Sequence, residues 1–71
     1  MIERLTIKAE AGAGCPIEDA ITEAIAIARR LGCIIQHPFN GVTVLAFPET
    51  DARSLAASYY RALKTKGTVV V

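Results

Sequence analysis

The sequence lacks an excess of either charge. Its 71 residues include eight lysines or arginines and seven acidic residues, which gives a net charge of +1. Proteins that bind nucleic acids or anionic membranes usually carry a clear basic excess. The near balance therefore argues against nucleic acid and against a membrane surface as partners.

Cysteine is also scarce, since only Cys15 and Cys33 occur. The sequence shows neither a signal peptide nor an apolar run that could span a membrane, so we expect free thiols in a reducing cytoplasm. Repeats and stretches rich in glycine, proline or serine are lacking as well. We therefore expect a single domain over residues 1–71.

Motifs that carry chemistry are missing too. There is no Walker loop, no glycine-rich dinucleotide turn and no nucleophile–base pattern. Cys15 lies where a loop meets a predicted helix, but one thiol cannot form a closed soft-metal site, and Glu18 stands where a Cys-x-x-Cys pair would have its second cysteine. No nucleophile or carboxylate is tied to His37 by spacing, so we interpret it as a histidine with ordinary structural partners. These observations predict a protein that is not an enzyme and holds no metal or cofactor.

What the sequence does contain is a strong hairpin signal at residues 33–48. Two apolar runs flank Asn40-Gly41, and both residues of this pair tolerate the positive φ that a two-residue type I′ turn requires. The turn fixes the register, so that Phe39 pairs with Val42 and His37 with Val44. Because side chains alternate between faces, the better core face carries Cys33, Ile35, His37, Phe39, Val42, Val44 and Ala46.

Pro38 adds a constraint on the order of the strands. Proline has no N–H to donate, so a strand that contains it is expected at a sheet edge. We therefore predict that strand 34–39 lies at an edge and that strand 42–47 is central, with the first strand on its other side.

The remaining segments predict two helices and two further strands. Residues 2–9 alternate as a half-buried strand does, and Thr68–Val71 is strongly strand-forming. One helix follows Pro16 and ends at Gly32, a left-handed cap, and the other begins after an N-cap at Thr50 or Asp51. Their predicted buried stripes are Ile17, Ile21, Ala24, Ile25, Ala28 and Leu31, and Ala52, Leu55, Ala56, Tyr59, Ala62 and Leu63.

This order predicts an α+β fold of the ferredoxin-like split βαβ type, β-α-β-β-α-β, with both helices on one sheet face. The terminal valines would pair with the free edge of the first strand. The alternative is a βαββα fold in which the C-terminal strand is swapped to a partner chain or frayed.

Two groups of residues are candidates for binding. Tyrosine and arginine are enriched at interfaces, and the candidate binding residues are Tyr60, Arg53, Arg61, Tyr59, Arg29 and Arg30. The open sheet face carries Ile34, Leu45 and Phe47, which predict that this small chain self-associates as a homodimer or higher oligomer.

Three segments carry a resemblance. Phe39-Asn-Gly-Val42, followed by Pro48-x-Thr-Asp51 and by Tyr59-Tyr60, resembles small uncharacterised proteins encoded by bacteriophages and prophages, over about residues 33–63. The resemblance implies a bacterial cytoplasm and an accessory role, such as binding and blocking a host defence protein. The alternatives are sequestration of a small nucleotide at a subunit interface and a structural phage component.

Overall fold

The computed structural model describes residues 5–10, 14–65 and 67–71, and within them it forms a four-stranded mixed sheet and two helices. The elements in chain order are β1 (Thr6–Lys8), α1 (Ile17–Leu31), β2 (Ile34–Phe39), β3 (Val42–Ala46), α2 (Ala52–Thr65) and β4 (Val69–Val70). The α+β class and the element order β-α-β-β-α-β are therefore confirmed. No helix in this part of the chain is long and apolar enough to cross a membrane.

The hairpin has the predicted register. β2 and β3 are antiparallel, with Phe39 opposite Val42 and His37 opposite Val44. The turn uses positive φ at Asn40 (50°) and Gly41 (81°), as a type I′ turn requires. The predicted core face of the hairpin is also correct, because all of its residues except the partly buried Phe39 are buried.

Both helices begin at the predicted signals, and α1 also ends at its predicted cap. Gly32 caps α1 in the left-handed conformation (φ 62°), and Pro16 is the residue before the first helical turn. The carboxylate of Asp51 accepts a hydrogen bond from the backbone N–H of Ser54 at 2.9 Å, which makes Asp51 the N-cap of α2. The predicted buried stripes hold except at Leu31 and Leu63, which are exposed in the last turns of their helices.

The predicted ferredoxin-like strand order is wrong. The sheet order is β1-β2-β3-β4, with β1 parallel to β2 and β4 parallel to β3. β3 is central as predicted, but β2 is central as well. The terminal valines pair with β3 rather than with the first strand.

The prediction that Pro38 places its strand at a sheet edge failed because β1 is too short to reach Pro38. β1 pairs only with residues 34–36 of β2, and its last backbone contact is the Ala9 N–H donating to the Gln36 carbonyl at 2.8 Å. Pro38 lies two residues beyond Gln36, where no N–H is needed on that side. Proline is therefore compatible with an inner strand when the neighbouring strand stops before it.

The helices cover the sheet unevenly. α1 packs on β2 and β3, and α2 packs on β3 and β4, whereas no Cα of α1 lies within 8 Å of a Cα of β1. The part of residues 2–9 that the structure describes is accordingly not half-buried. Leu5 and Ile7 are 76% and 40% exposed although they lie on the helix side of the sheet. Residues 2–4 of the predicted strand lie outside the described residues.

Candidate functional site

Tyr59, one of the predicted binding residues, lies in the core. Its side chain is fully buried, and its ring meets Phe39 edge to face at 5.7 Å between centroids. Its hydroxyl accepts a hydrogen bond from Nδ2 of Asn40 at 3.0 Å. Tyr59 therefore joins α2 to the hairpin turn.

Tyr60 lies at the flank of α2 and is 44% exposed. Its hydroxyl donates a hydrogen bond to Oε1 of Glu18 in the first turn of α1. This bond raises the pKa of Tyr60 and lowers the pKa of Glu18, because it favours the protonated phenol and the ionised carboxylate. The ring is available at the surface, but its polar end is held by an acidic side chain.

The arginines are spread over both helices, and the pKa of Asp51, lowered first by its hydrogen bond from Ser54, is lowered further by Arg53 and Arg29. Nε of Arg29 donates to the carbonyl oxygen of Pro48 at 2.8 Å and so ties the end of α1 to the loop before α2. Arg30 is exposed on α1, while Arg53 and Arg61 are exposed on α2. None of the three best-formed depressions among the described residues is lined by a tyrosine or an arginine.

The side chains of the predicted oligomer face, Ile34, Leu45 and Phe47, are less exposed than expected. Ile34 and Leu45 lie on the sheet face opposite the helices, yet both are partly buried. Phe47 follows β3 and lines a depression with Leu55 and Val71. The exposed large apolar side chains instead concentrate at the two edge strands and the helix ends: Leu5, Ile7, Leu31, Tyr60, Leu63, Val69 and Val71.

His37 marks a cavity between α1 and the sheet. The cavity has a volume of about 190 Å³ and is half open to solvent. Ile35 and His37 of β2 line it on the sheet side, and the α1 residues that line it include Ala24 and Ile27. Glu10, Cys15 and Glu23 complete its polar lining.

The environment of His37 is unusual for a polar side chain. Its side chain is only 3% exposed, and neither ring nitrogen has a hydrogen-bond partner among the described residues. The expected hydrogen-bond partners of this histidine are therefore not found among the described residues. Leaving a buried polar group unpaired costs about 1–3 kcal/mol, so an apolar residue would be more stable here.

Burial also favours the neutral form of this histidine. It lowers the pKa of His37 below its ordinary value, because desolvation penalises the imidazolium form. The ring is therefore neutral at pH 7, with one N–H donor and one acceptor nitrogen. Both nitrogens are buried.

The two cysteines are free and differ in burial. Cys33 is buried in the core, and Cys15 is partly buried beside the cavity. No group of three or more histidine, cysteine or acidic side chains among the described residues is arranged to hold a metal ion.

The fold and the cavity define a small α+β protein with a mixed sheet and one buried, unpaired histidine. Comparisons with protein-family models, with curated proteins and with solved structures found no match for this chain.

Sequence reasoning named Cys15 and His37 separately but missed Glu10 and Glu23. The only sequence signal for this cavity was His37, a polar residue in an otherwise apolar strand face. The proximity of these side chains depends on how α1 lies across β2, which the residue pattern does not specify.

Proposed function

We propose that this protein is a non-enzymatic binding protein that self-associates through the edge of β1. The observation that carries the proposal is the exposure of Leu5 and Ile7 on a strand that no helix covers. Exposed apolar edge strands are templates for pairing with another chain. We propose that the partner at this edge is a second copy of the chain. The two β1 strands pair antiparallel, which brings Leu5 and Ile7 of one copy next to Leu5 and Ile7 of the other.

The arrangement of β1 supports this pairing. The Leu5 carbonyl and the Ala9 N–H face β2, since they bond to Ile34 and Gln36. Because peptide groups alternate along a strand, the N–H groups of Thr6 and Lys8 face away from β2. They are the donors that a second β1 would use. Burial of apolar area across this edge would also help a chain whose small size limits its own core.

The experiment compares three proteins by native mass spectrometry and light scattering at high micromolar concentration. The wild type is expected to be a dimer, and Ile7→Lys a monomer, because lysine places a charge at the centre of the apolar contact. Val69→Lys is the matched control, since Val69 is exposed on the other edge strand. A monomeric wild type, or a dimer that survives Ile7→Lys, would refute the proposal. Phe47→Asp tests the open sheet face as the alternative interface.

The partner beyond the second copy is proposed to be a host protein with an acidic surface. α2 contains Arg53, Arg61 and Lys64 and no acidic residue, and Tyr60 lies among them. The resemblance to phage-encoded proteins supports a blocking role in the bacterial cytoplasm. Sequestration of a nucleotide is supported less, because the tyrosines and arginines do not line a shared cavity.

Charge reversal tests this surface. Protein captured from a bacterial lysate by the wild type should be lost with Arg53→Glu/Arg61→Glu and kept with Arg30→Glu, which reverses an exposed charge on α1. If all three proteins capture the same amount of lysate protein, the contact does not involve Arg53 and Arg61. Binding of a nucleotide that is lost in Tyr60→Ala would instead favour the sequestration alternative.

A further inference from the structure

The cavity between α1 and the sheet contains the parts of a pH-sensitive switch, and these are independent of self-association through β1. His37 lines this cavity, yet both of its ring nitrogens are buried and have no hydrogen-bond partner among the described residues. Other atoms of His37 therefore border the cavity, and the nitrogens do not reach it. Burial lowers the pKa of this ring and so favours its neutral form.

A rotation of the His37 ring about its Cβ–Cγ bond changes which atoms border the cavity. The ring is flat, so a half turn exchanges the positions of Nδ1 and Cδ2 and those of Nε2 and Cε1. Torsions of this type have broad, roughly two-fold energy profiles. The cavity has a volume of about 190 Å³ and is half open to solvent, which leaves space for water beside the rotated ring. A nitrogen can therefore reach the cavity without repacking of the core.

The charged side chains that line the cavity are both acidic. Glu10 lines it from the segment after β1, Glu23 lines it from α1, and the thiol-bearing Cys15 lines it from the segment before α1. No lysine or arginine of the described residues lines it. Both carboxylates are exposed, so they are ionised at neutral pH and attract a positive charge in this space.

The other strands packed against β2 add no charge on this side of the sheet. Val44 of β3 lies opposite His37. Lys8 of β1 pairs with Gln36 and lies with it on the opposite face. Glu10 also borders the depression that Lys8 lines. Glu23 is therefore the carboxylate committed to the His37 side.

We propose that protonated His37 turns into the cavity and pairs with Glu23, with Glu10 alongside, so that acid closes the cavity. The imidazolium has two N–H donors, and the rotation supplies them with a carboxylate and with water. In model peptides histidine titrates near pH 6.5 and glutamate near pH 4.3, so both charges are present between about these values. Because burial lowers the pKa of His37, the switch operates in the lower part of this interval. The closed state bridges β2 and α1.

NMR titration tests the switch, because the chain contains one histidine and its ring signals are unambiguous. We expect these signals to titrate while circular dichroism still shows a folded protein. Glu23→Gln should lower the pKa measured for His37 by about one unit, because the opposite charge that favours the imidazolium is lost. Glu10→Gln should lower it less. Asp19→Asn is the matched control and should leave it unchanged, because Asp19 is an exposed acid of the same helix that does not line the cavity.

A second measurement reports the rotation itself. Below the transition, a ring N–H proton of His37 should show a nuclear Overhauser contact with the side chain of Glu23. The proposal is overturned if the ring signals do not titrate before the protein unfolds, or if this contact does not appear. It is also overturned if Glu23→Gln leaves the pKa of His37 unchanged. An equal decrease in Asp19→Asn would overturn it as well, since the attraction would then be general.

Discussion

The molecule contains two β-α-β halves of the same plan that are packed differently. In the second half, α2 packs on both of its strands, β3 and β4, and buries Leu55 and Tyr59 completely. In the first half, α1 packs on β2 and across on β3 but does not reach β1. The first half therefore holds the uncovered strand and the His37 cavity, while the second half supplies most of the large, fully buried side chains.

This difference leaves β1 as the edge strand that the helices do not cover. A side chain that is fully packed contributes to the free energy of unfolding, whereas an uncovered strand or an unpaired buried nitrogen contributes little or lowers it. The first half contains both the uncovered strand β1 and the buried His37 that lacks a partner among the described residues. We infer that self-association takes place in the first half, at the edge of β1.

The largest expected effect comes from removing a packed side chain of the second half. Leu55→Ala should lower the free energy of unfolding by about 2–5 kcal/mol, because it leaves a cavity in the core. Leu31→Ala is the matched control in the first half, and its exposed side chain should change the value by less than about 0.5 kcal/mol. Urea unfolding measures both. Equal effects would contradict the difference in burial between Leu55 and Leu31.

The hairpin and both helices were predictable because their signals are local. Asn40-Gly41 sets the register of five residue pairs without reference to the rest of the chain. Gly32 and Asp51 likewise mark helix ends through contacts within a few residues.

The strand order was not predictable because it depends on the length of β1. The rule that places proline at an edge applies only where a neighbouring strand needs the missing N–H. β1 stops before it reaches Pro38, and nothing in the sequence of residues 2–9 shows that it will. The His37 cavity escaped prediction for a related reason, since it forms between segments that are distant along the chain.

A smaller effect is expected at His37, and it has the opposite sign. His37→Phe should raise the free energy of unfolding by about 1–3 kcal/mol, because a buried group without partners is replaced by an apolar ring. His37→Gln, which keeps a polar group there, should give no such gain. Urea unfolding at pH 7 measures both variants. A destabilised His37→Phe protein would show that the wild-type ring is satisfied in solution.

The smallest expected effect is a dependence of the free energy of unfolding on pH, and it is caused by His37. The pKa of His37 is lowered in the folded state, so below its ordinary pKa of about 6.5 the unfolded chain binds more protons than the folded one. The free energy of unfolding should therefore fall as the pH drops from 7 through 6.5 towards the folded pKa.

His37→Phe should remove this slope between pH 7 and 5.5. The lowered pKa values of Glu18 and Asp51 act in a more acidic range, because their ordinary values are 4.5 and 3.8. A slope that persists in the variant would show that another group is responsible.

The most direct test of the central claim is residue-resolved hydrogen exchange of the backbone amides in dilute and concentrated protein. We expect the outward N–H groups of Thr6 and Lys8 to exchange rapidly when dilute and slowly when concentrated, because β1 then pairs with a second copy. The N–H of Val69 on the opposite edge should exchange rapidly at both concentrations. Rapid exchange of Thr6 and Lys8 at every concentration, or slowing at Val69 instead, would contradict the proposed self-association through β1.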